Sequence, residues 1–303
     1  MKNVIQVKNL TKKYNKLTAV DDISFEVRKN EIFGLLGENG AGKTTTLEII
    51  EGLRKPTSGE IQVLCHNIKE NLSAIKEKIG VQLQSSAYFN FLTLKEILEL
   101  FGSFYSRKIN APELLSLVDL NEKISSYVNS LSGGQKQRFS IVASLVNDPE
   151  IVFLDEPTTG LDPLARRHLW DVVSKIKKQG KTIILTTHYM EEAEMLCDRV
   201  AIMERGKIIA IDDTHKLIKR AKKPFKLNFY SKIDDKTLSK LEKLGSIENV
   251  LGKSEHFEMK FTTQTNLNQA LLLVQKTNPE SITLGRANLE DVFIELTGKS
   301  IEE

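Results

Sequence analysis

Short apolar runs alternate with longer helical patterns over the first two thirds of the chain. The runs at residues 32–36, 151–154 and 182–185 are apolar on both faces, which is typical of buried parallel strands. Residues 134–146 and 164–178 carry apolar side chains at helical spacing. Because strands that alternate with helices form βαβ units, this pattern predicts an α/β fold with a parallel sheet.

Two regions depart from this alternation. Residues 5–8 and 25–27 alternate apolar and polar side chains, which predicts an antiparallel sheet with one face toward water. Residues from about 86 to 145 contain no strand-like run and are mostly helical in pattern. The sequence therefore predicts an antiparallel β subdomain and a helical insertion in the α/β core.

The last third of the chain has a different order of elements. Strand-like segments at 225–229, 246–251, 257–261 and 281–284 enclose helical patterns at 238–244 and 267–275. The order βαββαβ is typical of a ferredoxin-like domain, a small α+β fold. A final helix is predicted after Asn288, a candidate N-cap, with Leu289, Val292, Phe293 and Leu296 on one face.

These patterns predict the domain organisation. We expect a first domain at residues 1–215 with its helical insertion at 86–145, a basic linker at 216–223 and an accessory domain at 224–303. The linker contains several lysines and an arginine before Pro224. A solvated helix face and linker is the favoured interpretation, and contact with lipid headgroups is the alternative.

Composition narrows the class of protein. Of 303 residues, 40% are hydrophobic and 27% charged, which suits a globular chain and excludes a disordered one. The 43 Lys and Arg against 40 Asp and Glu leave a net charge of +3. This balance does not favour a general nucleic-acid or membrane-surface binder, and no nucleic-acid partner is expected.

The sequence contains neither a membrane-spanning run nor a signal peptide, and its cysteines are few, so a cytosolic protein is expected. No run approaches the roughly 18 apolar residues of a membrane span, and the first residues lack the apolar core of a signal peptide. Cys65 and Cys197 lie far apart, so buried reduced thiols are expected instead of a disulfide or metal framework. Any membrane role would then need a partner that supplies the spans.

The strongest chemical motif follows the apolar run at 32–36. Residues 37–44 fit G-x-x-x-x-G-K-[ST] between a predicted strand and a predicted helix, the arrangement of a phosphate-binding loop. Its backbone N–H groups point at one phosphate, Lys43 reaches the β- and γ-phosphates, and the Thr44 hydroxyl binds magnesium. The predicted nucleotide contacts here are Gly37, Glu38, Asn39, Gly40, Ala41, Gly42, Lys43, Thr44 and Thr45.

A pair of acids ends a second buried strand. Asp155 and Glu156 follow the apolar run at 151–154, so the strand delivers both to the carboxyl edge of the sheet. Asp155 is a candidate magnesium ligand, and Glu156 is a candidate base for the attacking water. An acidic pair that only caps the next helix is the alternative; the phosphate-binding loop favours the catalytic assignment.

A third motif lies between these two. Residues 131–135 read Leu-Ser-Gly-Gly-Gln, with a hydroxyl and two glycines at a predicted helix start, which suits either an anion site or a plain helix cap. With this motif the chain resembles the ABC-transporter ATPase family, whose signature is this pentapeptide. The resemblance covers residues 3–215, with the motifs in the family's order.

The resemblance implies further site residues. Tyr14 is similar to the aromatic that stacks on adenine, although a packed strand-end tyrosine is the alternative. Gln84 resembles the glutamine that touches magnesium, with Gln82 as a competitor. Asp162 resembles the D-loop aspartate, and His188 the switch histidine that reaches the γ-phosphate. The implied magnesium ligands are Thr44, Gln84 and Asp155.

The family implies a mechanism in which two chains share each ATP. Lys43, Glu156 and His188 are the implied catalytic residues of one chain. A second copy, or a paired ATPase, closes over the nucleotide and offers its signature residues in trans. These are Ser132, Gly133, Gly134 and Gln135.

The motifs are compatible with two functions. One is the ATPase subunit of a transporter, held at the cytoplasmic face of the membrane by an integral permease subunit. The other is a soluble ABC ATPase that acts as a switch. The single ATPase unit and the short spacing from Lys43 to Leu131 favour transport. Residues 189–194 and 288–298 resemble bacterial and archaeal ATPases of drug, antibiotic, lipid or polysaccharide exporters, so export is favoured over import.

Two segments of the chain each have more than one interpretation. The Phe- and Leu-rich residues 87–105 are interpreted mainly as core of the helical insertion. The family instead implies a groove there for a short cytoplasmic helix of the membrane partner. For the accessory domain, support of the dimer and regulation of hydrolysis are both open.

Overall fold

The computed structural model describes residues 2–84, 87–105, 107–249 and 255–298. The chain forms two units, Met1–Asp213 and Thr214–Glu303. The strands of the first unit are β1 (Asn3–Tyr14), β2 (Leu17–Arg28), β3 (Ile32–Leu36), β4 (Ser58–Val63), β5 (His66–Asn67), β6 (Ile79–Gln82), β7 (Ile151–Asp155), β8 (Thr182–Thr187), β9 (Arg199–Glu204) and β10 (Lys207–Asp213). Its helices are α1 (Lys43–Ile50), α2 (Leu72–Lys76), α3 (Leu94–Ser103), α4 (Ala111–Ser116), α5 (Gly133–Ala143), α6 (Pro163–Lys178) and α7 (Met190–Leu196).

A mixed sheet forms the centre of the first unit. Its strand order is β10-β9-β3-β8-β7-β6, and all neighbours are parallel except β9 and β10. Every residue of β3, β7 and β8 is buried, as expected for strands covered on both faces. The predicted α/β fold is confirmed.

A second, antiparallel sheet has the order β2-β1-β4-β5. Buried and exposed residues alternate along β2, which confirms the predicted sheet with one wet face. The rings of Phe25 and Phe33 stack at 5.4 Å between centroids, so this sheet shares a core with β3. Strand β1 runs twelve residues, well beyond the predicted segment at 5–8, because pairing with both β2 and β4 extends it across several bulges.

The predicted helical insertion contains α3, α4, α5 and two short 3-10 turns. Thr93 and Glu96 form a capping box that starts α3, and Ser132 and Gln135 form one that starts α5. Helix α5 ends at Ala143, before the predicted residue 146. The chain turns there so that the Asn147 amide can donate to two backbone carbonyls next to β6, a contact that periodicity does not reveal.

The second unit has the predicted βαββαβ order. It contains α8 (Thr214–Lys219), β11 (Phe225–Tyr230), α9 (Asp235–Glu242), β12 (Ser246–Asn249), β13 (His256–Phe261), α10 (Gln264–Gln275), β14 (Ser281–Arg286) and α11 (Leu289–Thr297). The strand order β12-β13-β11-β14 is that of a ferredoxin-like sheet. Helix α8 occupies the first part of the basic stretch, and residues 250 and 251 of a predicted strand lie outside the described residues.

The two faces of this second sheet differ in chemistry. Apolar residues of β11 and β13 pack with side chains of α9 and α10 in a small core. The opposite face is polar. There Asp291 of α11 accepts from Lys226 at 2.6 Å and lies 3.0 Å from Lys260. Burial acts to raise the pKa of Asp291, but the two lysines and a backbone hydrogen bond outweigh it and hold the pKa below its usual range.

Within the described ranges, the helices are too short or too polar to cross a bilayer.

Candidate nucleotide site

Sheet topology brings the predicted site residues together. The carboxyl ends of β3, β8 and β7 lie side by side, with Leu36 paired to Thr187 and Asp155 paired to Thr186. The phosphate-binding loop follows β3, the two acids end β7, and His188 follows β8. Segments far apart in sequence therefore meet at one edge, where α/β proteins bind ligands.

Two positions of the phosphate-binding loop leave no room for a side chain. Gly42 has φ 102°, and a Cβ there would lie 2.4 Å from the carbonyl oxygen of Ala19. A Cβ at Gly37 would lie 2.3 Å from the carbonyl oxygen of Met203. The loop leads directly into α1, whose first turn receives no side-chain cap. Its free N–H groups and the helix dipole suit a phosphate.

Lys43 is buried at the centre of the site. Its ammonium donates to the carbonyls of Gly37 at 2.8 Å and Glu38 at 3.0 Å, and lies 3.4 Å from Oε1 of Glu156. Burial lowers the pKa of Lys43, and the neighbouring Glu156 and Asp155 carboxylates offset only part of this effect. The structure thus places the Lys43 ammonium over the phosphate-binding loop, close to Glu156 and Asp155.

Asp155 is tied to the phosphate-binding loop. Its Oδ1 accepts from the hydroxyl of Thr44 at 3.1 Å and from the hydroxyl of Thr186 at 2.5 Å. Burial raises the pKa of Asp155, and these two hydrogen bonds offset part of the rise. The contact joins two of the predicted magnesium ligands.

The Glu156 carboxylate lies among groups that favour its charged form. Its Oε1 is 3.4 Å from Lys43 Nζ and 3.4 Å from His188 Nδ1, and its Oε2 accepts from Thr159 at 3.2 Å. Burial acts to raise the pKa of Glu156, but Lys43 and His188 outweigh it, so the pKa is lowered. The carboxylate is therefore ionised at neutral pH and can accept a proton.

Thr186 is a site residue that the sequence patterns did not single out. Its hydroxyl donates to Asp155 and accepts the backbone N–H of Glu156 at 2.9 Å. This contact holds Glu156 in a left-handed conformation with φ 46°, which is uncommon outside glycine. The sequence offered one indication of this role, a polar residue near the end of an apolar strand. Only the strand register shows that Thr186 lies opposite Asp155.

The two candidate glutamines occupy different environments. Gln84 places its Nε2 3.4 Å from Oε2 of Glu156, within the site. Gln82 is buried at the end of β6, and its amide donates to the adjacent carbonyl of Leu83 at 2.6 Å. Of the two glutamines, Gln84 is therefore the one that faces Glu156.

Tyr14 ends β1 and is half-buried. The ammonium of Lys12 lies 4.9 Å from its ring centroid, and the guanidinium carbon of Arg54 lies 5.5 Å from it. The ring is thus flanked by cations, a suitable setting for an anionic nucleotide. The predicted adenine contact remains a prediction.

The signature residues form a separate concavity. Ser132 Oγ accepts from Gln135 N at 3.3 Å, and the Gln135 side chain accepts from Ser132 N at 3.0 Å. A Cβ added at Gly133 would meet no atom within 4 Å, so the backbone is open there. Asp162, which caps α6, lines the same pocket, and its described lining contains no residue of the phosphate-binding loop.

The donor set suits magnesium. Thr44, Asp155 and Gln84 offer hydroxyl, carboxylate and amide oxygens, the hard ligands that Mg²⁺ prefers. Asp155 and Thr44 already touch, and Gln84 reaches the adjacent Glu156. The residues present therefore fit the ion.

A phosphate-binding loop, a buried lysine and a paired carboxylate at the edge of a parallel sheet define a nucleoside-triphosphate-hydrolysing protein. The family model described as ABC transporter matches residues 20–159. The linearmycin resistance ATP-binding protein LnrL of Bacillus subtilis is 36% identical over 313 residues, covering 99% of this chain and 100% of that protein. The Nod factor export ATP-binding protein I of Ralstonia nicotianae is 36% identical, covering 99% and 95%. The chain belongs to the ABC transporter ATP-binding family.

Solved structures agree with this assignment. An ATP-binding subunit of an ABC transporter matches with a TM-score of 0.64 and 30% identity, covering 72% of this chain and 92% of the other. A dimeric ATP-binding cassette in a post-hydrolysis state, bound to ADP and Pi, matches with a TM-score of 0.63 and 28% identity, covering 69% and 98%. The predicted family, fold class, ATP binding and ATPase activity are confirmed.

Proposed function

We propose that this ATP-binding subunit of an ABC exporter hydrolyses ATP in a head-to-tail dimer and drives export through a separate membrane subunit. Each composite site would contain Lys43, Glu156 and His188 of one chain and Ser132, Gly133 and Gly134 of the partner subunit. Hydrolysis is assigned to the predicted first domain, residues 1–215.

The main observation in support of the dimer is that the two half-sites lie at separate places on one chain. Lys43, Asp155, Glu156 and His188 gather around the phosphate-binding loop, whereas Ser132 and its neighbours line a different pocket. Both carry features of anion sites at helix starts, yet each covers only one side of a nucleotide. A two-fold pairing of identical chains brings the first half-site of one to the second half-site of the other.

Each residue has a defined chemical task in this proposal. Lys43, already held over the loop, supplies positive charge to the phosphate oxygens. Ionised Glu156 accepts a proton from the attacking water, and His188, 3.4 Å away, orients that carboxylate and the water. Tyr14 stacks on the base. Closure by the partner's signature excludes bulk water from these groups.

Magnesium would be held by Thr44, Asp155 and Gln84. When bound, the ion neutralises charge on the phosphates and helps to orient them. Within the chain, the Thr44 and Thr186 hydroxyls keep the Asp155 carboxylate in position for this task.

The names of the related proteins support export as the direction of transport. One is named for the export of Nod factor and another for resistance to linearmycin, and both match along nearly their whole length. Since the described helices cannot cross a bilayer, an integral membrane subunit would supply the path. The chain would then lie at the cytoplasmic face of the membrane as a peripheral subunit.

Mixing of two inactive variants tests the composite site. Lys43→Ala impairs the first half-site, and Ser132→Arg obstructs the second. If the dimer is head to tail, mixed dimers contain one intact site, and ATPase activity returns to up to about a quarter of the wild-type value. Each variant alone, at the same total concentration, is the control. Mixtures no more active than the separate variants would contradict the proposal.

A further inference from the structure

A buried acid that the proposed chemistry does not use lies on α7. Glu192 is 0% exposed, although a carboxyl group is normally kept at the surface or paired. Neither of its oxygens completes a hydrogen bond of normal length and angle with any residue that the structure describes. Because an unpaired buried carboxyl group costs free energy, Glu192 is a candidate for a role beyond packing.

The groups around Glu192 are mostly hydrogen-bond donors. Burial raises the pKa of Glu192 to about 7, whereas Thr187, Thr158, Trp170 and Arg166 act to lower it from close range. Three of these neighbours also have a buried atom without a partner in the described part of the chain, namely Thr158 Oγ1, Trp170 Nε1 and Arg166 Nε. Donors and acceptors therefore face each other between α6 and α7, and small side-chain movements would pair them.

On one side, Glu192 adjoins the turn that carries His188. Thr187 directly precedes His188, and its hydroxyl oxygen accepts the backbone N–H of Tyr189 at 2.9 Å. The same hydroxyl can donate its hydrogen to the Glu192 carboxyl. The ring centroids of Tyr189 and His188 are 4.1 Å apart, and the guanidinium carbon of Arg166 lies 4.1 Å from the Tyr189 centroid. Glu192 and its neighbours thus contact the chain on both sides of His188.

On the other side, Glu192 adjoins the segment that follows Glu156. Thr158 is two residues beyond Glu156 and fully buried, and its carbonyl accepts the N–H of Leu161 at 3.2 Å. The next residue, Thr159, donates its hydroxyl to Oε2 of Glu156 at 3.2 Å. A contact from Glu192 to Thr158 therefore acts on the turn that orients the Glu156 carboxylate.

We propose that Glu192 is a positioning residue for hydrolysis, which joins Thr187 to Thr158 and so holds His188 and Glu156 at their distance of 3.4 Å. This inference rests on the proposed function, because it assumes that His188 and Glu156 act together on the attacking water. An ionised carboxyl accepts from both threonine hydroxyls, and a neutral one accepts from Thr187 and donates to Thr158, so the link forms in either state. Glu192 is enclosed and touches neither the nucleotide nor the water.

Two substitutions at Glu192 test the inference on the full chain. Glu192→Met keeps the length of the side chain but removes both oxygens, so kcat for ATP should fall about tenfold. ATP affinity, measured with a fluorescent analogue, should change by no more than about twofold, since Glu192 does not touch the nucleotide. Glu192→Gln keeps one acceptor and one donor and should retain kcat within about threefold. Glu191→Met, at an exposed position of the same helix, is the control.

A second variant keeps the test valid if Glu192→Met folds poorly, which urea unfolding reports. Thr158→Val removes the hydroxyl with little change of volume, and kcat should fall about fivefold with ATP affinity unchanged. Because both changes break the same link, adding Glu192→Met to Thr158→Val should lower kcat by no more than about a further twofold. With the control Thr182→Val, whose hydroxyl lies at the other end of β8, the effects of the two changes should multiply.

The outcomes separate this inference from the proposed function. Wild-type kcat in folded Glu192→Met, an equal loss in Glu192→Gln, or a loss of ATP affinity in place of kcat overturns the inference. Unchanged turnover in His188→Ala would contradict the role that the proposed function gives to His188. A slow Glu192→Met beside a fully active His188→Ala would overturn the inference as well, because Glu192 would then act elsewhere.

Discussion

The Nδ1 atom of His188 lies 3.4 Å from Oε1 of Glu156. The two residues follow neighbouring parallel strands, β8 and β7, so the sheet fixes their separation. Together with Lys43, His188 holds the pKa of Glu156 below its ordinary value in spite of burial. A carboxylate that stays ionised in a buried site can act as a base at neutral pH.

Glu156→Gln removes this base but keeps the shape of the side chain. We expect the variant to bind ATP and to dimerise, with turnover lowered by about 100-fold or more. Steady-state phosphate release and size-exclusion chromatography with ATP measure the two effects. Glu150→Gln, at an exposed position just before β7, is the control and should behave as the wild type. Turnover near the wild-type rate in Glu156→Gln would remove Glu156 from its role.

Lys43→Ala tests the cation of the phosphate-binding loop. The change removes a buried cation that the proposed site places against the phosphates, so nucleotide affinity should fall by about 30-fold or more. Titration with a fluorescent ATP analogue measures the loss, and Lys8→Ala, an exposed lysine on β1, is the control. Unchanged affinity in Lys43→Ala would refute the assignment.

Thr186→Val tests the residue that connects the two acids. Loss of the hydroxyl removes one hydrogen bond to Asp155 and the acceptor for the Glu156 N–H. We expect turnover to fall about tenfold, with ATP affinity changed by no more than about twofold. Thr182→Val at the opposite end of β8 loses a contact to Asn30 N and serves as the control. Equal effects of both variants on turnover would indicate a merely structural role.

The stability of the first unit should depend on pH through Glu192. This residue is fully buried in α7, and burial raises its pKa from 4.5 to about 7; nearby Thr187, Thr158, Trp170 and Arg166 offset only part of that effect. The folded state then holds an extra proton between these pH values. The free energy of unfolding therefore falls as pH rises through this window, by up to about 3 kcal/mol.

Glu192→Gln should abolish this loss, because glutamine does not titrate. Urea unfolding at several pH values, followed through Trp170, the single tryptophan of the chain, measures the difference from the wild type. The exposed neighbour variant Glu191→Gln should keep the wild-type slope. A wild type and a Glu192→Gln variant with parallel pH profiles would contradict the prediction.

The local patterns of apolar and polar residues were sufficient to predict which of these segments are helices and which are strands. Runs apolar on both faces became buried parallel strands, and alternating segments became the antiparallel sheet. Pairing partners were less accessible to sequence. The length of β1 depends on two neighbours, and the end of α5 depends on Asn147 contacts near β6, so both differ from the periodicity alone.

The sequence by itself determined the motifs and their chemistry. The spacing of Gly37, Gly42 and Lys43, the acids at 155 and 156 and the pentapeptide at 131–135 were enough to identify the family, because each is a contiguous segment. Periodicity also determined the βαββαβ order of the second unit.

Only the tertiary structure decided which separate segments share a site. Thr186 reaches Asp155 through strand register, and Gln84 faces Glu156 while Gln82 is buried. Register and burial arise from packing between distant parts of the chain. A single residue's type and its near neighbours do not contain that information.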